Sequence, residues 1–359
     1  MKTSNMELVN KPDFEMAMKR IYAWYEHEII DRVPIRFTAH NADFKEAKIM
    51  EGRSWPDLKS KWFDSEFQVD YFIESIKGQK FYAETFPVCF PNLGPEVYSA
   101  FYGCELEFRE VTSYCLPAVK NWEDMRKLKF DMKNKYFKKI EELTFTALEK
   151  RENNYMVGYT DLHPGIDCAA AFRDPQQLCI DILIEPEKVE ELVRISSADF
   201  QKIYDHFDKI LKDHDQLSVT WMGIPSYGKM HIPSCDFASL VGEDHFEQYI
   251  YPVLKEEVKP MDHNIFHVDG KGVAKNLDLI LAMPEVQAIQ WVQGAGESPI
   301  MQWVDLIKKC QRAGKSVLVD LKPSELEDFI GQMEPEGLML CMEADESIQP
   351  DIIKRVAKW

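Results

Sequence analysis

Residues 264–343 read NIFHVDGKGVAKNLDLILAMPEVQAIQWVQGAGESPIMQWVDLIKKCQRAGKSVLVDLKPSELEDFIGQMEPEGLMLCME. Four short runs stand out: Asn264–Asp269, Val286–Val292, Ser316–Leu321 and Gly337–Glu343. Several are nearly continuous in apolar residues, the pattern of strands buried on both faces. The stretches between them are just long enough for one helix each. Ser298–Ala313 and Ser324–Met333 carry apolar residues at helical spacing, and Ser324 precedes Glu327 by three places, a capping-box pattern. Strands joined by single helices predict parallel neighbours in one sheet.

Upstream the same rhythm continues with Val33–Phe37, Ala83–Phe90, Tyr155–Tyr159 and Leu217–Met222. Eight strands alternating with helices predict a single (β/α)8 TIM barrel. A doubly wound sheet is the competitor, but neither GxGxxG nor GxxxxGK[ST] occurs. The crossovers after the first three strands are long, and such insertions build walls or lids over a site. Pro186–Asp208 reads as one amphipathic helix with an acidic first turn. No linker composition interrupts the chain, so residues 1–359 read as one domain, with 1–30 as an N-terminal helical extension.

The composition sets limits. Hydrophobic residues make up 45%, enough for a large core. A net charge of −18 argues against nucleic acid or anionic lipid as the main partner. The eight cysteines form no CxxC pair, most within apolar runs, and do not read as a disulfide framework. The opening residues lack the apolar stretch of a secretory signal, and no run is long enough to span a bilayer. The expectation is a reduced, cytoplasmic protein, and a homodimer by base rate.

In a barrel, chemistry sits at the C-terminal ends of the strands. Those ends carry Arg36 and His40; Tyr159, Asp161 and His163; then His267 and Asp269, Gln290 and Trp291, Asp320, and Cys341 and Glu343. The loop after the fourth strand adds Tyr227 and Asp236. His267 and Asp269 alternate by two, so both face the same way. With Cys341 and Glu343 they offer nitrogen, sulfur and oxygen donors suited to Zn²⁺ with an open position. The plainer readings are a hydrogen-bonded His–Asp pair, a core role for Cys341 and the tryptophans, and helix capping by Asp161 or Asp236.

At these residues the chain resembles the uroporphyrinogen decarboxylase superfamily. The similar stretches are Arg32-Val33-Pro34-Ile35, Gly94-Pro95-Glu96, Asp161-Leu162-His163, Ser234-Cys235-Asp236-Phe237, His267-Val268-Asp269-Gly270 and Ile289-Gln290-Trp291. The resemblance implies one barrel and either of two chemistries: cofactor-free decarboxylation, or methyl transfer involving a corrinoid on a partner protein and a zinc ion. The decarboxylases carry an arginine-rich Gln-Ala-Gly-Arg stretch after the first strand, whereas this chain has only Arg36 there. The methyltransferases hold zinc through His-x-Cys and a later Cys. Carried over, these fall on His267, on Asp269 in place of the first Cys, and loosely on Cys341, with Glu343 competing. A carboxylate in place of a thiolate hardens the site.

The leading expectation is a zinc-assisted, corrinoid-dependent methyltransferase acting on a small methylated substrate. Zinc is held by His267, Cys341 and one of Asp269 or Glu343. Asp161, His163, His267 and Asp269 are the catalytic candidates. Arg36, His40, Tyr159, Tyr227, Asp236, Gln290 and Trp291 are the substrate-binding ones. The alternative is a metal-free lyase that decarboxylates a carboxylated substrate, with Asp269 or Asp161 as acid or base. A non-catalytic barrel, with an occluded mouth and mutually satisfied polar groups, is the third possibility.

Overall fold

The computed structural model describes residues 6–39, 41, 43–294 and 299–359. Ten strands occur among them: β1 (Ile35–Thr38), β2 (Val88–Cys89), β3 (Glu105–Phe108), β4 (Ser113–Leu116), β5 (Met156–Val157), β6 (Met230–His231), β7 (His263–Asp269), β8 (Ala288–Val292), β9 (Ser316–Asp320) and β10 (Leu338–Glu343).

The C-terminal half folds as the apolar runs dictate. A curled sheet in the order β1-β10-β9-β8-β7-β6 is parallel throughout. Ile265, Phe266, Val268, Ile289, Trp291 and the run Leu338–Met342 are all buried, as two-sided coverage requires. Helices at Val304–Arg312 and Leu326–Ile330 make the short crossovers. The latter is not capped by the Ser324–Glu327 box. Glu325 instead accepts the Lys322 backbone N–H at 3.1 Å, and Glu327 pairs with Arg355 at 2.6 Å. A proline at 323 opens a turn one step earlier than the pattern suggested.

The expected closed eight-stranded barrel is met in part. β2 and β5 form a separate parallel pair. Isolated hydrogen bonds, not a ladder, tie the segments around this pair to the sheet: Glu84 N to Ile35 O at 2.9 Å and Phe37 N to Thr85 Oγ1 at 2.8 Å on one side, the Tyr159 hydroxyl to Met230 O at 2.9 Å on the other. Leu217–Met222 is not a strand. A turn closes at Thr220–Gly223, Gly223 takes φ +68°, and the chain doubles back into an antiparallel bridge between Ser218 and Ser226. The partner of β7 is therefore β6, further along the chain.

The long early crossovers hold most of the helices. Glu46–Met50, Leu58–Trp62 and Ser65–Ile76 follow β1. An antiparallel hairpin, β3–β4, follows β2. Between β5 and β6, Pro186–Asp208 is two helices, Pro186–Ser197 and Phe200–Asp213, and the chain breaks at Ala198-Asp199. No described helix is long and apolar enough to cross a membrane.

Within the expected extension over residues 1–30 lies a helix, Phe14–Tyr25, that packs into the core. Trp24 Nε1 donates to the Gly337 carbonyl at 3.0 Å, and the Ser316 hydroxyl donates to the Trp24 carbonyl. Those partners precede β10 and open β9, so the helix covers the N-terminal end of the sheet. Beside it, the buried carboxylate of Glu84 takes both arms of Arg32 (2.8 and 2.9 Å), the Ile35 N–H (2.7 Å) and Arg20 (3.2 Å). Removing one partner of such a pair strands a buried charge. Glu84→Ala is expected to lower stability by about 3–5 kcal/mol, read from chemical denaturation midpoints. Truncating exposed Asp31 should cost under about 1 kcal/mol.

Candidate metal centre and strand-end pockets

His267 and Asp269 project to one face at the end of β7. The segment beyond β6 runs alongside. His267 N donates to Pro233 O at 2.9 Å, and Ser234 pairs with His267 in a parallel bridge. Two places further along both segments, Asp236 arrives beside Asp269. One donor atom from each of Asp236, His267 and Asp269 lies within 4.8 Å of the others, the only such group of His, Cys, Asp or Glu among the described residues.

The imidazole is held from behind. Register places Gln290 opposite His267, and its Oε1 lies 2.6 Å from His267 Nδ1. With the amide oxygen there, Nδ1 carries the proton and donates, leaving the Nε2 lone pair for an electrophile. Trp221 meets the ring edge-on, at 5.6 Å between centroids and 87° between planes. Gln290 is buried, so it orients the ring rather than meeting substrate. One nitrogen and two carboxylates form an open set that fits a zinc ion.

Next to the triad, His163 Nε2 lies 2.7 Å from Asp161 Oδ1. Burial works against a charge on this ring, but Asp161, then Asp167 and Asp236, outweigh it and raise the pKa to about 9. Asp167 is pushed up to about 6 by burial and by Asp236, against the two backbone N–H groups that it accepts. His163, Asp167, Ser234, Asp236, Phe237 and Leu240 line part of a cavity of about 300 Å³.

A second cluster lies across the sheet. Arg36 pairs in register with Cys341, and Cys341 with Asp320. All three line a cavity of about 740 Å³ together with Lys322, Glu343 and Asp345. Burial pushes the Cys341 thiol up to about 11, against the pull of Arg36. Loss of solvent likewise raises the Asp320 carboxyl, opposed by Arg36 and His267.

The expected ligands therefore divide. His267 and Asp269 come together, and Asp236, expected to bind substrate, joins them. Cys341 and Glu343 do not. Two strands, β8 and β9, stand between β7 and β10, about 14 Å along the sheet at about 4.8 Å per step. Other expectations need correction. Tyr159 is buried, and its hydroxyl donates to Met230 O at 2.9 Å. Trp291 is fully buried against Trp303, so neither meets substrate. Tyr227 packs against Tyr22 of the N-terminal helix, with ring centroids 5.3 Å apart, because the Ser218–Ser226 doubling-back carries it away from the mouth. His40 lies outside the described residues. Trp221, Asp320 and Asp167 were not singled out as functional from the sequence. Asp320 had a signal, its place at a strand end, whereas Asp167 had none because it lies inside a helix.

No protein-family model matches the chain, and no curated protein matches it. Among solved structures it is similar to a methyltransferase from Methanosarcina mazei, with a TM-score of 0.59 at 12% identity, over 92% of this chain and 94% of that one. A match to an HpcH/HpaI aldolase from Desulfitobacterium hafniense DCB-2 has a TM-score of 0.23 at 11% identity, over 62% of this chain and 78% of that one. At 12% identity, what this chain shares with the methyltransferase is the fold.

The His163 ring should titrate with a midpoint near 9 in selectively labelled protein followed by NMR, and Asp161→Asn should bring it down. Because the folded pKa is raised, the pair's stabilisation is full below about pH 6.5 and fades as pH rises through about 9. Unfolding midpoints of wild type and Asp161→Asn should accordingly converge at high pH.

Proposed function

We propose that this chain is a methyltransferase-type enzyme whose reaction takes place at the strand-end mouth, around Asp236, His267 and Asp269. The observation that carries the reading is that triad, set in a fold shared nearly end to end with a methyltransferase. In this reading His267 Nε2, Asp236 and Asp269 hold a zinc ion, which as a Lewis acid polarises a methyl-bearing heteroatom or favours a thiolate. Gln290 keeps the imidazole proton on Nδ1. The Asp161–His163 ion pair, neutral overall, places a protonated imidazole beside the pocket that Asp236 helps to line. A corrinoid-bearing partner docking over the mouth and membership of the uroporphyrinogen decarboxylase superfamily belong to the same proposal.

The metal-free decarboxylase reading has less support. A substrate with several carboxylates needs several cations. Arg36 and Lys322 line the larger cavity, but so do Asp320, Glu325, Glu343 and Asp345.

Protein purified without added metal should carry close to one zinc per chain by elemental analysis, and His267→Ala should carry almost none. Demethylation of methylcobalamin by a small thiol, followed by absorbance, should fall at least about 100-fold in the same variant, the loss of a few kcal/mol of charge stabilisation. Wild-type protein that binds no divalent ion would sink the reading. Cys341→Ser should retain the zinc, since its thiol is tied to the Arg36 side.

A further inference from the structure

The 3-10 turn Asp236–Leu240, which carries the third arm of the triad, is gripped from two sides. On one side stands Asp167, in the first turn of the helix Ile166–Arg173. Its Oδ2 accepts the Asp236 N–H and its Oδ1 accepts the Phe237 N–H, both at 2.9 Å. One carboxylate thus satisfies two successive amides that open the turn. The Asp236 side chain is not used as a cap; one of its oxygens takes the Ser234 hydroxyl at 3.3 Å.

On the other side stands Gly272, in the helix Gly270–Ala274 that directly follows Asp269. A Cβ placed there would lie 2.5 Å from Ser239 Cβ and 2.9 Å from Ser239 Cα. Any side chain at 272 would therefore push the turn away from the end of β7. Neither Asp167 nor Gly272 is a member of the triad.

We infer that Asp167 and Gly272 are positioning residues that set how closely Asp236 approaches His267 and Asp269. Asp167 draws the turn towards its own helix through the two amides, and the bare backbone at 272 leaves room for it against the helix after β7. Between them they fix the turn without using the Asp236 carboxylate as its cap, which leaves an oxygen of that side chain for the triad. The inference rests on the metal reading of the triad.

The test is Co²⁺ binding to the full-length protein, titrated through its visible absorption. Asp167→Asn keeps the size but turns one acceptor oxygen into a donor, so one amide loses its partner. Gly272→Ala adds a single methyl group. Both variants are expected to bind Co²⁺ about 10- to 100-fold more weakly than wild type, the usual cost of losing an outer support of a metal ligand, with altered bands. Gly272→Ala combined with Ser239→Gly relieves the closest contact and should regain part of the affinity, which a general loss of stability would not allow. Should Asp167→Asn fail to fold, the Gly272 pair decides alone. Affinity within threefold of wild type in either folded single variant overturns the inference, as does a double variant no better than Gly272→Ala. If wild type takes up neither Co²⁺ nor Zn²⁺, the metal reading falls and this inference falls with it. If wild type binds and the variants match it, only this inference falls.

Discussion

Parallel pairing is the constraint from which the rest of the molecule follows. In a parallel sheet every strand points the same way, so every strand delivers its last residues to one edge. Register then decides who meets whom. His267 faces Gln290 because Phe266 faces Ile289 one step earlier, and Arg36 reaches Cys341 and Asp320 by the same ladder logic. A slip of one residue in β7 would turn both His267 and Asp269 away from the mouth and send Val268 into it. The apolar burial of Ile265, Phe266 and Val268 guards against that slip.

The two polar clusters differ in electrostatic character. Around the triad, acids are left close together and an imidazole is held in one tautomer, an arrangement that favours an incoming cation. Around Arg36 the single guanidinium faces Asp320 and a thiol kept protonated by burial. The His163–Asp161 pair lies on the triad's side, and the field of Asp167 and Asp236 also keeps its ring charged. The mouth is therefore divided into a side built around carboxylates and a side built around one arginine.

The second half of the chain was readable because its strands are long apolar runs, and burial on both faces leaves a strong trace in sequence. The pairing of His267 with Asp269 was readable for the same reason, since alternation along a strand is fixed. Asp236 in the triad was not, because its place depends on a bridge between Ser234 and His267, 33 positions apart, that no local pattern encodes. Tyr227 was misplaced because the run Leu217–Met222 has a strand's composition while Gly223 turns the chain back. Cys341 was credited with metal binding on type and strand-end position alone. Strand order, which sequence periodicity does not report, separates it from His267.

The seat of Trp24 has a consequence for how the polypeptide is made. Its indole rests on a carbonyl 313 positions further on, and its own carbonyl is held by Ser316. A ribosome releases residue 24 long before either of these exists. During that interval the indole lacks both partners, so the helix cannot complete its native packing until they emerge. Contacts spanning such distances also slow the search for the native state. This architecture therefore ties an early-made helix to strands made some three hundred residues later, and the seat of Trp24 is complete only once both have been synthesised.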